Sequence, residues 1–457
     1  MVMGSIPEEV DIAVIGGGVG GYVAAIRASQ LGKSVTLIEK NKLGGHCLNY
    51  ACIPSKTLIH IADLFYNAQH SGEFGITGTL AIDPKKMHEW RISVSKKLED
   101  GVAFLCKSNQ IEVAKAEAVF LSSKELQLTD GRNLEFGKAI IATGSEPVPL
   151  SGFEFGGNII DYKAALSLDF IPKSMVIIGA GYVAVETATL YAKLGAKVHI
   201  IARSGILSHF DPEATAIVAS RMESLGIEVH KNVEPASHTE KSVTLNSGQI
   251  ISADVIVIAI GLYPHTKGLG LENTKVILDG KGFINTDSSM RTADSNILAI
   301  GDVAGEPMLA HKAIRQGVVA GETAAGKLSG FDNVVIPSVI FSDPEIAIAG
   351  RISGEGILTK KFPLTAIGRA VALNRTKGFI KIAYNQDKIV EGIEIVSDDA
   401  NSMIAEAALA IEMGATLEDI ADTIHPHPTY SEGIQESAEA ALGRPLHFFY
   451  GREKEGN

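Results

Sequence analysis

The stretch Asp11-Ile-Ala-Val-Ile-Gly-Gly-Gly-Val-Gly-Gly21 returns in altered form 163 residues later, where Leu194-Gly195 matches Leu31-Gly32. In both copies, a short apolar run predicts a buried strand, closely spaced glycines predict a tight turn, and a helix and a second strand follow. Such βαβ units are typical of doubly wound domains with mostly parallel strands. The repeat therefore predicts two of these domains.

Each glycine turn is a candidate dinucleotide site. Glycines between a strand and a helix let backbone N–H groups and the helix N-terminus meet a pyrophosphate, although an isolated pattern of this kind is as often structural. In the first copy, Glu39 ends the second strand and can accept hydrogen bonds from a ribose. Two dinucleotides predict a flavin paired with a nicotinamide cofactor for hydride transfer. The glycines are Gly16, Gly18 and Gly21 in the first turn, and Gly179 and Gly181 in the second.

The rest of the chain extends these two units and adds a third. Buried runs that end in glycine turns predict further parallel strands, and alternating apolar residues after residue 336 predict an antiparallel sheet beside a helix. The predicted fold class is α/β, with two doubly wound dinucleotide-binding domains and a C-terminal α+β domain. The predicted domains are 1–145 completed by 266–334, then 146–265, then 335–457.

Composition excludes several classes of protein. The formal net charge of −12 leaves no basic face for a nucleic acid. No uncharged apolar run reaches the roughly 18 to 20 residues of a membrane span, so we predict no membrane association. Only three cysteines are present, which excludes a disulfide-stabilised secreted scaffold. No signal or transit peptide is evident, and we therefore predict a cytoplasmic protein.

The segment Gly44-Gly-His-Cys47-Leu-Asn-Tyr-Ala-Cys52-Ile-Pro-Ser-Lys56 carries two cysteines five residues apart. Such a pair can meet across the irregular first turn of a helix, whose N-terminus also favours a thiolate. In a cytoplasmic chain the pair is more often redox-active than structural. A metal site with His46 as third ligand is the alternative, but no fourth ligand lies at a plausible spacing, so we predict no metal. The remaining Cys106 is predicted to be a buried hydrophobe.

Together, these motifs resemble the FAD-dependent pyridine nucleotide–disulfide oxidoreductases over nearly the whole chain. Within that family, the run from Cys52 to Lys56 is most similar to members that oxidise dihydrolipoyl groups. The resemblance implies an enzyme that passes electrons from such a group through the cysteine pair and FAD to NAD or NADP. It rests on the cysteine segment, both glycine turns, Ala142-Thr143-Gly144, Ala299-Ile-Gly301-Asp302 and His427-Pro-Thr-Tyr-Ser-Glu432.

The resemblance also implies roles for individual residues. Cys47 is expected to exchange with the substrate sulfur, and Cys52 to pass electrons to the flavin. His427 is expected to be the general base, oriented by Glu432. Because family members donate this histidine across a dimer interface, a homodimer is implied. An ion pair between Lys56 and Glu186 is expected beside the flavin, and the further cofactor contacts are expected to be Thr143, Gly144, Gly261, Gly301, Asp302, Ala310 and His311.

Several positions depart from the family pattern and leave alternatives open. His46 and Tyr50-Ala51 stand where threonine and Val-Gly are usual. Tyr182 resembles the nicotinamide lid of glutathione reductases, so an NADPH-dependent reductase of a small disulfide is one alternative. A flavoprotein with a structural role is a second alternative, and a metal-binding pair of His425 and His427 is a third.

Cofactor choice follows from the repeat itself. The counterpart of Glu39 in the second copy is Ala202, followed by Arg203. An acid at this place binds the ribose 2′-hydroxyl and repels a 2′-phosphate, so its loss predicts that NADP is preferred and NAD is still used. Arg203 can offer a bidentate fork to the phosphate, or it is simply a solvated residue at a strand end. A lipoyl-bearing acyltransferase or carrier protein is the implied partner besides the homodimer.

Overall fold

A computed structural model describes residues 8–450. These residues form two compact units. The first unit comprises residues 8–179, 193–197 and 234–332, and the second comprises 180–192, 198–233 and 333–450. The three-domain division expected from the sequence stays a prediction.

Helices and strands alternate in residues 8–38 and 159–231, whereas elsewhere several strands or several helices follow one another. Up to residue 178 they are β1 (Glu8–Ile15), α1 (Val19–Gln30), β2 (Val35–Ile38), α2 (Gly45–Asn49), α3 (Cys52–Gln69), α4 (Pro84–Ser108), β3 (Glu112–Ala114), β4 (Ala118–Ser122), β5 (Glu125–Leu128), β6 (Asn133–Ile141), β7 (Ser145–Pro147), β8 (Ile159–Asp161), α5 (Tyr162–Ala165) and β9 (Ser174–Ile178). Between residues 182 and 324 they are α6 (Tyr182–Lys193), β10 (Lys197–Ala202), α7 (Pro212–Ser224), β11 (Glu228–Lys231), β12 (Pro235–Thr239), β13 (Ser242–Leu245), β14 (Ile250–Ser252), β15 (Val255–Ile258), β16 (Leu262–Pro264), β17 (Ile297–Ala299) and α8 (Ala310–Ala324). The last are β18 (Ser338–Ile340), β19 (Glu345–Gly350), β20 (Leu358–Pro363), α9 (Gly368–Ala372), β21 (Phe379–Tyr384), β22 (Val390–Ser397), α10 (Ala400–Glu412), α11 (Leu417–Ala421) and α12 (Glu432–Ala441).

The main sheet of the first unit has seven strands. Its order is β3-β2-β1-β6-β5-β4, and β17 also pairs with β6. Five of the strands are parallel, and β4 and β5 form an antiparallel extension. Ile15 pairs with Ile141, and Ile141 pairs with Ala299, so β1, β6 and β17 end side by side. Ligands of doubly wound folds bind at this carboxyl edge of the sheet.

Both faces of this sheet are covered, as a parallel sheet requires. Alternate residues of each strand enter different cores: Ile12 and Val14 pack with α1 and α8, whereas Ala13 and Ile15 pack on the opposite face. The two helices approach closely because glycines line their contact. A Cβ at Gly317 of α8 would lie 2.5 Å from a backbone oxygen of α1.

The second glycine turn has the geometry that the repeat predicts. Helix α6 occupies the same places as α1 after a shift of 163 residues, and β10 extends one residue beyond β2 at each end. Within the first unit, β15 pairs in parallel with both β8 and β9. Within the second unit, β10 pairs in parallel with β11. The βαβ repeat is therefore confirmed.

The C-terminal part of the second unit is an antiparallel sheet covered by helices. Its strand order is β18-β19-β22-β21-β20, and α10, α11 and α12 pack on it around a core that includes Ile380 and Ile395. The central strands β21 and β22 are buried almost throughout, so the polar members of their alternating pattern, Lys381 and Glu394, are buried as well. Together with the parallel sheet, this architecture confirms the predicted α/β class.

A buried charge network ties α7 to this sheet. Asp211 caps the N-terminus of α7 and also accepts a hydrogen bond of 2.5 Å from Lys381 on β21. The same ammonium lies 3.1 Å from Glu394 on β22. Burial raises the pKa of Glu394 to about 7, against the opposing effect of Lys381. Removal of one member of a buried pair commonly costs about 3–5 kcal/mol.

The glycine turn of the first unit supports a prediction. Replacement of Gly21 by alanine should destabilise the unit, because the added Cβ would lie 1.8 Å from the Gly16 carbonyl oxygen. The clash is with backbone and cannot relax through a side chain, so we expect a cost on the order of 3 kcal/mol. The measurement is thermal unfolding of the apoprotein followed by circular dichroism.

Gly18→Ala is the matched control. Gly18 has φ −67°, and a Cβ there would be 4.0 Å from the nearest atom, in Gly45. We expect its apoprotein to unfold within about 2 °C of wild type, since the substitution adds no clash. Equal unfolding temperatures for the two alanine variants would contradict the role given to Gly21.

Candidate active site

Cys47 and Cys52 form a disulfide, with their Cα atoms 4.5 Å apart. Cys47 lies within α2, and Cys52 is the first residue of α3. The two cysteines therefore meet where α3 begins, with a break in the helix between them. Tyr50-Ala51 breaks the helix, because the φ of Tyr50 (−133°) and that of Ala51 (−132°) are not helical. After reduction, the N-terminus of α3 would stabilise a thiolate at Cys52.

The cysteine segment is bound directly to the first glycine turn. The amide of Gly44 donates to the carbonyl of Gly17 at 2.8 Å. Gly44 (φ 88°) and Gly45 (φ 57°) both adopt the left-handed conformation that glycine tolerates best. A Cβ at Gly45 would lie only 2.7 Å from the Cα of Gly18. The disulfide is thus built next to the candidate flavin turn.

The first glycine turn fits a dinucleotide. Gly16 has φ 104°, and α1 begins after Gly18 without a side-chain cap, so its first amides face an open, Cβ-free turn. Such a terminus suits an anionic pyrophosphate. Glu39 accepts hydrogen bonds of 2.7 Å from the amides of Gly17 and Asn41, one on each carboxylate oxygen. Each oxygen keeps a lone pair, which suits the ribose contact expected of this residue.

The remaining flavin contacts expected from the resemblance belong to the same edge. Thr143-Gly144 follows β6, and Gly301-Asp302 follows β17, beside the end of β1. Asp302 accepts a hydrogen bond of 2.6 Å from Ser145, while Thr143 donates to the carbonyl of His265 at 2.7 Å. Ala310 and His311 are the first residues of α8. These contacts order the loops, and the binding roles of the residues stay predictions.

The second glycine turn follows the same design. Gly179 has φ 124°, and a Cβ there would lie 2.1 Å from the carbonyl oxygen of Ala259, just after β15. Tyr182 begins α6 and is 41% exposed. Gly261 has φ 129° and accepts a backbone hydrogen bond from Val148.

The end of β10 carries the residues expected to choose the nicotinamide cofactor. Ala202 is its last residue and is buried, and Arg203 follows as an exposed residue. Ala202 also pairs in register with Lys231 on β11, an exposed cation that no sequence motif indicated. Paired residues lie on the same face of a sheet, so Lys231 adds positive charge on the face of Ala202.

His46 precedes Cys47 and lies against polar side chains that no sequence motif indicated. Its Nδ1 is 3.5 Å from the Tyr162 hydroxyl. Glu146 lies nearby and pairs with Lys163 at 2.8 Å and with His265 at 3.5 Å. The hydrogen bond with His265, together with that of Lys163, lowers the pKa of Glu146 to about 2 against the effect of burial.

These surroundings keep His46 neutral at pH 7. Burial, followed by the positive charge of Lys163, lowers the pKa of His46 below 6.5, although Glu146 and Asp302 oppose the change. A neutral imidazole supplies no full positive charge to a neighbouring thiolate.

His427 and Glu432 form the pair that the resemblance predicts. The Nδ1 of His427 lies 2.7 Å from Glu432 Oε1, and the amide of Thr429 donates to Oε2 at 2.8 Å. Burial would raise the pKa of Glu432, but the hydrogen bonds from His427 and Thr429 lower it overall. The side chain of His427 is 75% exposed, which leaves its Nε2 accessible.

His425 does not share this environment. Its Nδ1 contacts the carbonyl of Thr423 at 2.9 Å, and its Nε2 contacts Glu406 at 2.7 Å. Both ring nitrogens are engaged, so a metal-binding pair of His425 and His427 gains no support.

Lys56 lies in the first unit, one turn after Cys52, while Glu186 lies in the second and accepts a hydrogen bond from the amide of Phe341 at 3.1 Å. Their ion pair stays a prediction.

Comparison with known proteins identifies the family. Residues 10–317 match pyridine nucleotide-disulphide oxidoreductases, and residues 336–438 match the dimerisation domain of the same family. The chain belongs to the pyridine nucleotide-disulphide oxidoreductase family. The dimerisation domain supports a homodimer. Among residues 8–450, no helix is both long and apolar enough to cross a membrane.

Individual relatives show which enzymes of the family the chain is similar to. The chain is 44% identical to a dihydrolipoyl dehydrogenase of Geobacillus stearothermophilus and 42% identical to one of Bacillus subtilis, in each case over 98% of this chain and 99% of the relative. Among solved structures it is similar to LpdA from Mycobacterium tuberculosis, with a TM-score of 0.88 and 25% identity over 94% of this chain and 99% of that one.

Thiol titration checks the cysteine assignment. Cys106 is fully buried, and burial raises the pKa of its thiol, so the oxidised native protein should react negligibly with a chromogenic disulfide reagent. Denaturation without reductant should release one thiol, and denaturation after reduction should release all three cysteines. Three thiols in the denatured, unreduced protein would contradict the disulfide.

Proposed function

We propose that this chain is an FAD-dependent enzyme that oxidises dihydrolipoyl groups and reduces a nicotinamide dinucleotide. The main observation behind the proposal is the Cys47–Cys52 disulfide, whose segment is hydrogen-bonded to the first glycine turn. Full-length likeness to dihydrolipoyl dehydrogenases supports the substrate class. In the balanced reaction, the dithiol loses two electrons and two protons. The oxidised nicotinamide takes up both electrons and one proton as a hydride, and the second proton is released to solution.

The cysteines perform the sulfur chemistry. A substrate thiolate attacks the sulfur of Cys47 to form a mixed disulfide, and Cys52 leaves as a thiolate. The α3 N-terminus stabilises that leaving group, and Lys56 lies one helical turn further on. The second substrate thiolate then displaces Cys47 and closes the lipoyl disulfide. FAD held by the first glycine turn and Glu39 would supply the two-electron chemistry that links the reduced cysteines to a nicotinamide cofactor.

His427 is the proposed base that generates the substrate thiolates. Its Nδ1 faces Glu432, so Nε2 can take the proton, and the carboxylate stabilises the imidazolium that forms. The exposure of His427 suits a role toward another subunit, and the dimerisation domain supports a homodimer in which that subunit supplies the cysteines.

Steady-state turnover with dihydrolipoamide tests the function and the base together. We expect rapid oxidation by the wild type, and a loss on the order of 10²-fold in kcat for His427→Gln, the usual scale for a general base. His447→Gln is a matched control, because His447 is also exposed and also contacts a glutamate of α12, Glu436, through Nδ1. The control should retain turnover within about twofold.

The main alternative is an NADPH-dependent reductase of a small disulfide, which Tyr182 at the start of α6 favours. The same assay, run with oxidised glutathione and NADPH, separates the two functions. A larger kcat/KM for glutathione than for dihydrolipoamide would overturn the proposal. A loss below about threefold for His427→Gln would overturn the role of the base alone.

We also propose that NADP is preferred over NAD. Ala202 places no carboxylate at the end of β10, and two cations, Arg203 and Lys231, lie at or beside that position. A 2′-phosphate would therefore meet positive charge without repulsion. NAD lacks that phosphate and therefore gains less binding energy than NADP from these cations. It can still serve as the cofactor.

A charge-specific substitution tests this preference. Ala202→Glu should shift the ratio of kcat/KM values toward NAD by at least about tenfold, since it restores a ribose partner and repels a 2′-phosphate. Ala202→Gln has the same size without the charge and should shift the ratio much less. A tenfold preference for NAD in the wild type, or equal shifts in both variants, would contradict the proposal.

The proposed setting is a cytoplasmic homodimer that serves a lipoyl-bearing acyltransferase or carrier protein. The dimerisation domain supports the homodimer, and the relatives' name, dihydrolipoyl dehydrogenase, supports a lipoyl-bearing partner. For the organisation of the chain we retain the three proposed domains, 1–145 completed by 266–334, 146–265 and 335–457.

A further inference from the structure

Two histidines and a glutamate meet on one face of the β10–β11 pair, away from the cysteines in sequence. His199 on β10 pairs in register with Glu228 on β11, and Ile201 pairs with His230. Residues two apart in a strand share a face, as do residues directly paired across strands. The register alone therefore brings His199, Glu228 and His230 to the same side of the sheet.

The potential ligand atoms of these side chains converge. His199 Nδ1 lies 3.2 Å from His230 Nε2 and 3.4 Å from Glu228 Oε2, and His230 Nε2 lies 4.0 Å from the same oxygen. Tetrahedral zinc with ligand bonds of about 2.0–2.1 Å has ligand atoms about 3.3 Å apart. The three observed separations bracket that value, so one ion can contact all three atoms after small side-chain movements.

Burial and ligand type also suit a metal. His199 is 5% exposed and His230 is half-buried, so the two imidazoles are held by their surroundings, while Glu228 is exposed and leaves an approach from solvent. Two neutral imidazoles and a carboxylate form a set that Zn²⁺ and its borderline neighbours bind well. Three protein ligands leave a fourth position for water.

The internal repeat provides a comparison within the chain. In the first copy, Thr36 on β2 pairs with Glu112 on β3, and Ala114 takes the place of the second histidine. There the threonine simply donates to Glu112 at 3.2 Å. In the first copy Glu112 also accepts from Arg132 at 2.6 Å, so the same backbone arrangement carries a hydrogen bond and an ion pair there, and three converging ligand atoms in the second copy.

We propose that His199, Glu228 and His230 form a binding site for a divalent transition metal of the Zn²⁺ class. The bound ion bridges β10 to β11, three residues before the Ala202-Arg203 position at the end of β10. The site uses Nδ1 of His199, so the proton of that ring resides on Nε2. This proposal is independent of the proposed dithiol oxidation.

The test is calorimetric titration of the chelator-treated, oxidised holoenzyme with Zn²⁺. In oxidised protein Cys47 and Cys52 are in a disulfide and are not available as thiolate ligands. We expect the wild type to bind one equivalent of Zn²⁺. His230→Ala should weaken its affinity by more than about 100-fold, because loss of a direct ligand should exceed the 10–100-fold effect of losing an outer partner. Glu228→Gln, which keeps the size of an exposed side chain, should weaken binding about tenfold.

His209→Ala is the control, because His209 is an exposed histidine outside the cluster and should leave binding unchanged. Zinc-edge X-ray absorption of the wild type should show imidazole nitrogen and oxygen at about 2.0 Å. The proposal is overturned if wild type, His230→Ala and Glu228→Gln bind Zn²⁺ equally. It is also overturned if the absorption spectrum shows sulfur at about 2.3 Å, which would place the ion on cysteine. In either case the histidines would simply share a hydrogen bond.

Discussion

The contact between the first glycine turn and the cysteine segment is the constraint on which the site depends. The backbone of Gly17 is engaged on both sides, since its amide donates to Glu39 and its carbonyl accepts from Gly44. Gly18 and Gly45 then approach so closely that a Cβ at Gly45 would meet the backbone of the turn. Glu39, the first glycine turn and the redox disulfide are therefore joined through one short stretch of hydrogen-bonded backbone. Such preorganisation would limit the rearrangement needed for electron transfer between the disulfide and a cofactor bound at this turn.

The N-terminus of α3 is the positive element at Cys52, while the imidazole at position 46 is kept neutral by burial and by Lys163. Glu146 balances Lys163 at 2.8 Å and keeps that region close to neutral. A helix terminus is fixed in place and does not titrate, so it stabilises a thiolate over a wider pH range than a histidine would.

The two copies of the βαβ unit show how one scaffold is specialised. Helices α1 and α6 occupy equivalent places, and both turns need a glycine with positive φ where the backbone passes close to a carbonyl at the end of a neighbouring strand. The copies differ at the end of the second strand and on the outer strand pair. Glu39 is replaced by Ala202, and Thr36 by His199. Gly16 and Gly179 are fixed by this backbone contact, whereas side-chain positions on the strands can acquire new chemistry.

Local spacing in the sequence determined the βαβ repeat, the antiparallel pattern near the C-terminus and the buried character of Cys106. It also brought His427 to Glu432, because the two lie five residues apart within one short motif. Helix and strand periodicity reflect interactions between near neighbours, which a single sequence records directly. The break between α2 and α3 was missed, because it depends on backbone angles at Tyr50-Ala51 that no strong signal marks. Only the tertiary structure placed Tyr162 beside His46, and Glu228 and His230 beside His199. Those neighbours come from distant segments, and their meeting is decided by strand register and packing, which residue spacing along the chain does not encode.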